Sequence, residues 1–155
     1  MSINLHLNGL FARVRDWNKR TGHMPNTDSE ASLKWITDEE YRNRAMDLLT
    51  EEVGEMKDAV DAMNQVEMLD AAADIIFVLA GIIEKAGLGE YMEEAMLEVL
   101  RSNDSKIPAN GKVVRDENGK IGKPESYRPP NIPEAMWRVD SRIVMARRRA
   151  SEGVW

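Results

Sequence analysis

Apolar residues recur at helical spacing along most of this chain. Leu7, Leu10, Phe11, Val14 and Trp17 fall on one stripe, so residues 4–20 predict an amphipathic helix that ends near Gly22. Residues 22–36, with Gly22, Pro25, Asn26 and Asp28, read as loop with one turn around Leu33 to Ile36. Thr37 and Glu40 stand at capping-box spacing and predict a second helix from about Asp38 to Met63. After a short link at 64–67, a third helix is expected from about Val66 to Ala86, stopped by Gly87 and Gly89. Its second half, IIFVLAGII, is apolar all round, which predicts burial. A fourth helix is expected from about Glu90 to Arg101.

The pattern changes after Arg101. Residues 102–133 gather most of the prolines, and Asn118-Gly119 sits between Val113-Val114-Arg115 and Lys120-Ile121. That is the signature of a small two-stranded hairpin, too marginal to stand without helices beneath it. Pro133 opens a last helix to about Ala150. The expected fold class is all-α: an antiparallel bundle of about five helices with a small C-terminal β-hairpin. A length of 155 residues fits one domain, with a core at about 5–101, a Gly/Pro-rich tail at 102–132 and a final helix at 133–150.

Composition narrows the chemistry. With no cysteine and only His6 and His23, disulfides, thiolate zinc sites, thiol nucleophiles and histidine-rich metal centres are excluded. The longest apolar run, Ile75 to Ile83, is nine residues, whereas a membrane span needs about twenty. The first residues lack a basic start and an apolar block, so no signal peptide and a cytoplasmic location are expected. The net charge of −6 is unevenly spread. Residues 39–98 hold 16 acidic and 4 basic side chains, a net of −12, and the remainder carries +6. An acidic middle between basic ends suggests a cation site with basic groups nearby, or complementary packing between chains.

The acidic residues are also patterned. On the second helix, Leu48, Glu52, Glu55, Ala59 and Ala62 share one face, bordered by Glu51 and Asp58. On the third, Glu67, Asp70, Ala71, Asp74 and Val78 share another. A short link makes the two helices antiparallel neighbours, so the stripes can face each other. Two carboxylates 4 Å apart repel by about 4 kcal/mol at an effective dielectric near 20. The lysines available on these helices are Lys57 and Lys85, so a bound divalent cation is the economical compensation. Oxygen-only ligands favour Mg²⁺ or Mn²⁺, and Mg²⁺ commonly arrives with substrate phosphates. The competing account is a pair of solvated acidic faces.

LLTEEVGEMKDAV, with Glu51, Glu52 and Glu55, resembles the EExxE helix of the MazG-like all-α nucleoside triphosphate pyrophosphohydrolases. LDAAADIIFVLAGI is similar to that superfamily's next helix, where an aspartate precedes a buried apolar run. SNDSK, NGKVVRDENGKIGKPESYRPPNI and FARVRDWNKRTGHMPNT extend the resemblance over residues 5–132. They point to the phage and bacterial branch related to phosphoribosyl-ATP pyrophosphohydrolase. EExxE alone is weakly specific; its order with the aspartate helix and Asn-x-x-Lys is far more so. One departure concerns the second motif, usually Glu-x-x-Asp, because the residue three before Asp74 is Ala71. Asp70 with Asp74 can replace that pair, or Glu67 and Asp70 can form it in an earlier register. Asp74 is preferred because it directly precedes the buried run, with Asp70 second and Glu67 third.

The resemblance implies hydrolysis of a nucleoside triphosphate, such as the purine dNTP dGTP, to monophosphate and pyrophosphate. It implies Mg²⁺ or Mn²⁺, more than one ion with substrate bound, held by Glu52, Glu55, Asp70 and Asp74. Glu51 would stand beside the ligands or act as general base. Asn103, Lys106, Lys120, Lys123 and Tyr127 would bind the phosphates and nucleotide, and the protein would be a homodimer or homotetramer. Trp17 reads as core before base-stacking platform, and His23 as a loop residue. Two alternatives are a non-catalytic nucleotide-binding module of the same fold, and a nucleic-acid-associated protein using Arg147 to Arg149. On a net-acidic chain, an acidic neighbouring subunit is the better partner for that basic run.

Overall fold

In a computed structural model, which describes residues 6–152, the chain is built from helices. The order is α1 (Leu7–Arg20), α2 (Asp28–Thr37), α3 (Glu39–Asp61), α4 (Gln65–Lys85), a single 3₁₀ turn (Gly89–Tyr91), α5 (Met92–Asp104) and α6 (Ile132–Glu152). The expected start of the first helix at residues 4–5, and the opening residues read for a signal peptide, lie outside the described residues. Among the described residues, no helix is long and apolar enough to cross a membrane. The chain forms two compact units, Met1–Glu90 and Tyr91–Trp155.

The first unit is organised by the α3–α4 hairpin. Asp38 caps α3 by accepting a hydrogen bond from the Tyr41 amide, and Asn64 caps α4 by accepting from Val66 and Glu67. Only Ala62, Met63 and Asn64 separate the two helices, with Met63 in the left-handed region at φ 50°. A link that short forces the helices antiparallel and into side-by-side packing. Ala45 and Ala59 of α3, and Ala71 of α4, are buried at their contact. Small side chains there allow close approach, so the residues between them face the partner helix at short range.

α1 packs across the C-terminal half of α4. Gly81 makes this possible, since a Cβ there would stand 3.3 Å from Asn18 Nδ2 and 3.9 Å from Val14. Asn18 is buried and donates to its own helix at Val14 O (2.9 Å), leaving no polar group stranded in the contact. α2 lies against α3 and α4 and meets the end of α4 at Gly87, whose φ of 74° suits glycine. Tyr41 ties the unit together: its hydroxyl donates to His23 O (2.8 Å), and Lys34 and Lys85 stand over its ring at 4.7 and 5.3 Å. Burial pushes the Tyr41 phenol up to about 12, aided by the Asp38 charge.

Two expectations need correction. Residues 22–36 are not loop with one turn, because Asp28–Thr37 form a full ten-residue helix. Its N-cap is Thr27: Glu30 N donates to Thr27 Oγ1, and the Thr27 hydroxyl donates to Glu30 Oε2 (2.7 Å). Thr37 ends that helix rather than capping the next. The C-terminal β-hairpin is also not supported, since the described residues contain no strand and only one bridge, Arg115 with Ile121. Asn118-Gly119 does turn, with Gly119 at φ 76°. There the Asp116 side chain accepts from the amides of Asn118 and Lys120, drawing local amides into the turn rather than a ladder.

The second unit pairs α5 with α6 around Glu98. This carboxylate is only 6 % exposed and accepts from Arg101 Nε (3.0 Å) and Nη2 (2.8 Å) and from the Asn131 amide (2.7 Å). Arg138 of α6 stands 3.5 Å away. Asn131 in turn caps α6 by accepting from Glu134 N. Glu98 therefore joins α5, the connecting strap and α6. The Arg101 hydrogen bond, then the Asn131 amide, lower its carboxyl from 4.5 to about 2. A lowered carboxyl stabilises the fold above its unfolded value and loses that contribution as pH falls through the folded one. Stability should therefore decline between about pH 4.5 and 2. Glu98→Gln should flatten that part of a denaturant-midpoint profile while lowering stability at neutral pH.

Candidate functional site

The hairpin sets the level at which each acidic side chain stands. Glu52 lies nine residues before the end of α3, and Asp74 lies nine residues after the start of α4. In an antiparallel pair these positions are opposite one another, and Glu55 and Asp70 lie about one turn nearer the link. Glu52 also falls on the same stripe as buried Ala45 and Ala59, seven residues to either side, so it points at α4. Of the expected inward stripe, Glu52 and Ala59 turn in, whereas Leu48, Glu55 and Ala62 are exposed.

The electrostatics follow from that placement. Glu52 Oε2 is buried and has no hydrogen-bond partner, alone in this among the described side-chain atoms. Desolvation raises its carboxyl above the ordinary range, and Glu55, Asp74, Glu51 and Asp70 raise it further in that order. Glu67 is not among these groups. The basic residues of the hairpin are engaged elsewhere. Lys57 pairs with Asp61, Arg44 pairs with Glu40, and Arg42 donates to the carbonyls of Trp35 and Ile36. Lys85 lies over the Tyr41 ring. Among the described residues, no basic side chain of α3 or α4 pairs with Glu52.

A divalent ion was inferred from the sequence, and two features of the site fit one. The donors are all carboxylate oxygens, which suit a hard cation, and one of those oxygens is buried without a donor. The carboxylates do not close on a common point: among the described residues, no three His, Asp or Glu side chains are gathered in metal-binding geometry. Glu51, Glu55, Asp70 and Asp74 are exposed and free to rotate, while their helices hold them on facing stripes.

In the second unit, the residues expected to bind phosphate are partly brought together. Lys106 Nζ donates to Asn103 Oδ1 (2.8 Å), and Lys106 and Lys123 stand 6.0 and 5.0 Å from the centre of the Tyr127 ring. Ser105 fixes this arrangement: its carbonyl accepts from the Ser126 hydroxyl and its own hydroxyl accepts from the Arg128 amide. Lys120 is held in the turn through its backbone by Asp116 and is not part of the Tyr127 group. Arg147 and Arg149 lie on exposed positions of the last turns of α6.

Sequence reasoning missed an aromatic group beside the acidic hairpin. The ring of Trp17 meets Phe77 edge-on at 5.2 Å and stacks with His23 at 5.5 Å and 14°. Phe77 follows Asp74 by three residues on α4. The helical spacing Asp70, Asp74, Phe77 could have found half of this group; the crossing of α1, which brings Trp17, could not be read locally.

The geometry of the site is that of an all-α hairpin with carboxylates on two facing helices. The family model for phosphoribosyl-ATP pyrophosphohydrolase matches residues 18–103, and the chain belongs to that family. The family belongs to the MazG-like all-α superfamily, whose general activity is nucleotide pyrophosphohydrolysis. The chain is also 35 % identical over 78 residues to the uncharacterized protein L479 of Acanthamoeba polyphaga mimivirus. That match covers 50 % of this chain and 31 % of the relative, so the chain spans about a third of that protein's length.

Neutralising Glu52 should relieve the repulsion along the acidic stripe. Glu52→Gln should raise the thermal midpoint at pH 7 in chelator and should lose any rise that Mg²⁺ or Mn²⁺ confers on the wild type. Differential scanning fluorimetry with and without metal reads both effects.

Proposed function

We propose that this protein hydrolyses a nucleoside triphosphate, most simply a dNTP, to the monophosphate and pyrophosphate in a metal-dependent reaction. The observation that carries the reading is the buried, unpartnered Oε2 of Glu52, close to Asp74 and flanked by Glu55 and Asp70, on the helix pair that the family match spans. Glu52, Glu55, Asp70 and Asp74 would hold Mg²⁺ or Mn²⁺. Such an ion would neutralise phosphate charge and lower the pKa of an attacking water. Glu51 is exposed at the edge of the stripe, where a carboxylate can accept a proton from that water.

The phosphates need cations as well as metal, because a triphosphate brings several negative charges to an acidic wall. Lys106 and Lys123, in the second unit, are the residues proposed to supply such cations, and Lys106 donates a hydrogen bond to Asn103. Lys120 extends the same basic tail. A homo-oligomer is part of the proposal. Met46, Val53 and Val60 recur every seven residues on α3 and are exposed, as are Val66, Leu69 and Ile76 on α4. Continuous apolar stripes of this kind are covered by another copy more readily than by water.

The test is pyrophosphate release from a panel of ribo- and deoxynucleoside triphosphates, with purine dNTPs such as dGTP included, in Mg²⁺ and in Mn²⁺. Glu55→Gln and Asp74→Asn should each reduce turnover by at least a hundredfold while leaving the helical circular dichroism signal unchanged. Orthophosphate as the product, or wild-type rates in both variants, would sink the proposal.

A further inference from the structure

One buried acidic side chain of the first unit takes no part in the hairpin site. Glu84, in the last turn of α4, is only 5 % exposed, yet its carboxylate accepts no hydrogen bond among the described residues. Arg15 of α1 is its ion-pair partner, with Nη1 3.6 Å from Oε2, a separation wider than a hydrogen bond. Burial raises the Glu84 carboxyl above its ordinary range; Arg15 acts against that rise, and Asp28 and Glu90 add to it. A carboxylate so enclosed is short of a donor. Ten residues, about 15 Å of helix, separate it from Asp74, so this is a different place in the fold.

The carboxylate is buried but not shut in. It forms part of the wall of a cavity of about 300 Å³ between α1, α2 and the end of α4. Two glycines keep that space open where the chain leaves α4. A Cβ on Gly89 would overlap the Glu84 carboxylate at Oε1, and one on Gly87 would stand 2.7 Å from Ser32 Oγ. Ser29 and Ser32 of α2 add hydroxyls to the wall, and exposed Glu90 stands at the rim. Asp28 also lines the cavity, but Lys19 holds it at 2.7 Å.

This lining selects among ligands. An anion would meet Glu84, Glu90 and Asp28. A metal ion would need converging oxygens, and among the described residues no three acidic side chains are gathered in metal-binding geometry. A quaternary ammonium prefers aromatic walls, and no aromatic ring lines the cavity among the described residues. A primary ammonium carries three donors and suits carboxylate and hydroxyl acceptors together. We propose that this cavity is a binding site for a small aliphatic amine, whose ammonium group donates to Glu84 with the serine hydroxyls of α2 as further acceptors. Arg15 stays on the Oε2 side, and Oε1, on the Gly89 side, receives the ligand. The site stands whether or not the hairpin hydrolyses nucleotides.

The test is isothermal titration of the full chain with 1,4-diaminobutane in the presence of Mg²⁺, with 1,4-butanediol as the uncharged probe of the same length. Wild type should bind the diamine saturably at one site and should not bind the diol. Glu84→Gln keeps the size of the side chain and removes its charge, whereas Gly89→Ala keeps every charge and displaces the carboxylate. Each should weaken the diamine by roughly tenfold or more, the scale of a lost hydrogen bond to a charged group. Glu55→Gln, on the hairpin, should bind the diamine as wild type does. Circular dichroism melts check that the variants are folded, and Gly89→Ala decides the matter if Glu84→Gln is not. No saturable binding by wild type, equal affinity for the diol, or wild-type affinity in folded Glu84→Gln would overturn the site. Loss of binding in Glu55→Gln would do the same, because the amine would then lie on the hairpin carboxylates.

Discussion

A three-residue link brings two acidic helices face to face, and the first unit is arranged around that repulsion. Ala45, Ala59 and Ala71 let α3 and α4 approach closely, and Glu52 is carried into the same contact. One of its oxygens is buried with no donor, and four other carboxylates raise its affinity for a proton. Like charges at such range cost free energy unless something cationic stands between them. The hairpin's own basic residues are placed on Glu40, Asp61, helix-end carbonyls and Tyr41. The protein thus carries a local electrostatic cost at this level of the hairpin, the level proposed to handle phosphate.

The other elements of the first unit then acquire roles relative to that wall. α1 crosses α4 at Gly81 and delivers Trp17 to Phe77, one turn beyond Asp74. α2 closes the end of the hairpin at Gly87 and, with Tyr41, positions the segment that carries His23. The second unit is held by an opposite device, a carboxylate saturated with donors. Glu98 stabilises where Glu52 destabilises, although each has carboxylate oxygen turned away from water, because Arg101, Arg138 and the Asn131 amide surround the first. That contrast shows how little burial alone says about a carboxylate; its partners decide the sign.

Much of this could be read from residue spacing. The inward turn of Glu52 and Ala59 followed from their spacing on α3, although Leu48, Glu55 and Ala62 of the same expected stripe are exposed. Of IIFVLAGII, Ala80, Gly81 and Ile82 are buried while Ile76, Phe77 and Leu79 are exposed, so that run is not buried all round. What failed was local punctuation. Gly22, Pro25 and Asn26 suggested a long loop and hid the Thr27 N-cap that starts α2 two residues later. Thr37 looked like a cap because Glu40 follows it, but Asp38 accepts the Tyr41 amide instead. Asn118-Gly119 gave a true turn signal, while the competing side chain of Asp116 has no counterpart in hydrophobic alternation. The Trp17–Phe77 contact joins residues sixty positions apart, so it depends on a helix crossing that no window of the chain contains.

The central claim is that the Glu52–Asp74 level of the α3–α4 hairpin is a site for a divalent cation. Anomalous diffraction at the manganese edge, from crystals soaked in Mn²⁺ with and without a non-hydrolysable nucleotide, tests it directly. A peak between α3 and α4 within ligand distance of Glu52 and Asp74 is the predicted result. Manganese bound only elsewhere, or no peak on the hairpin in either crystal, would contradict the account.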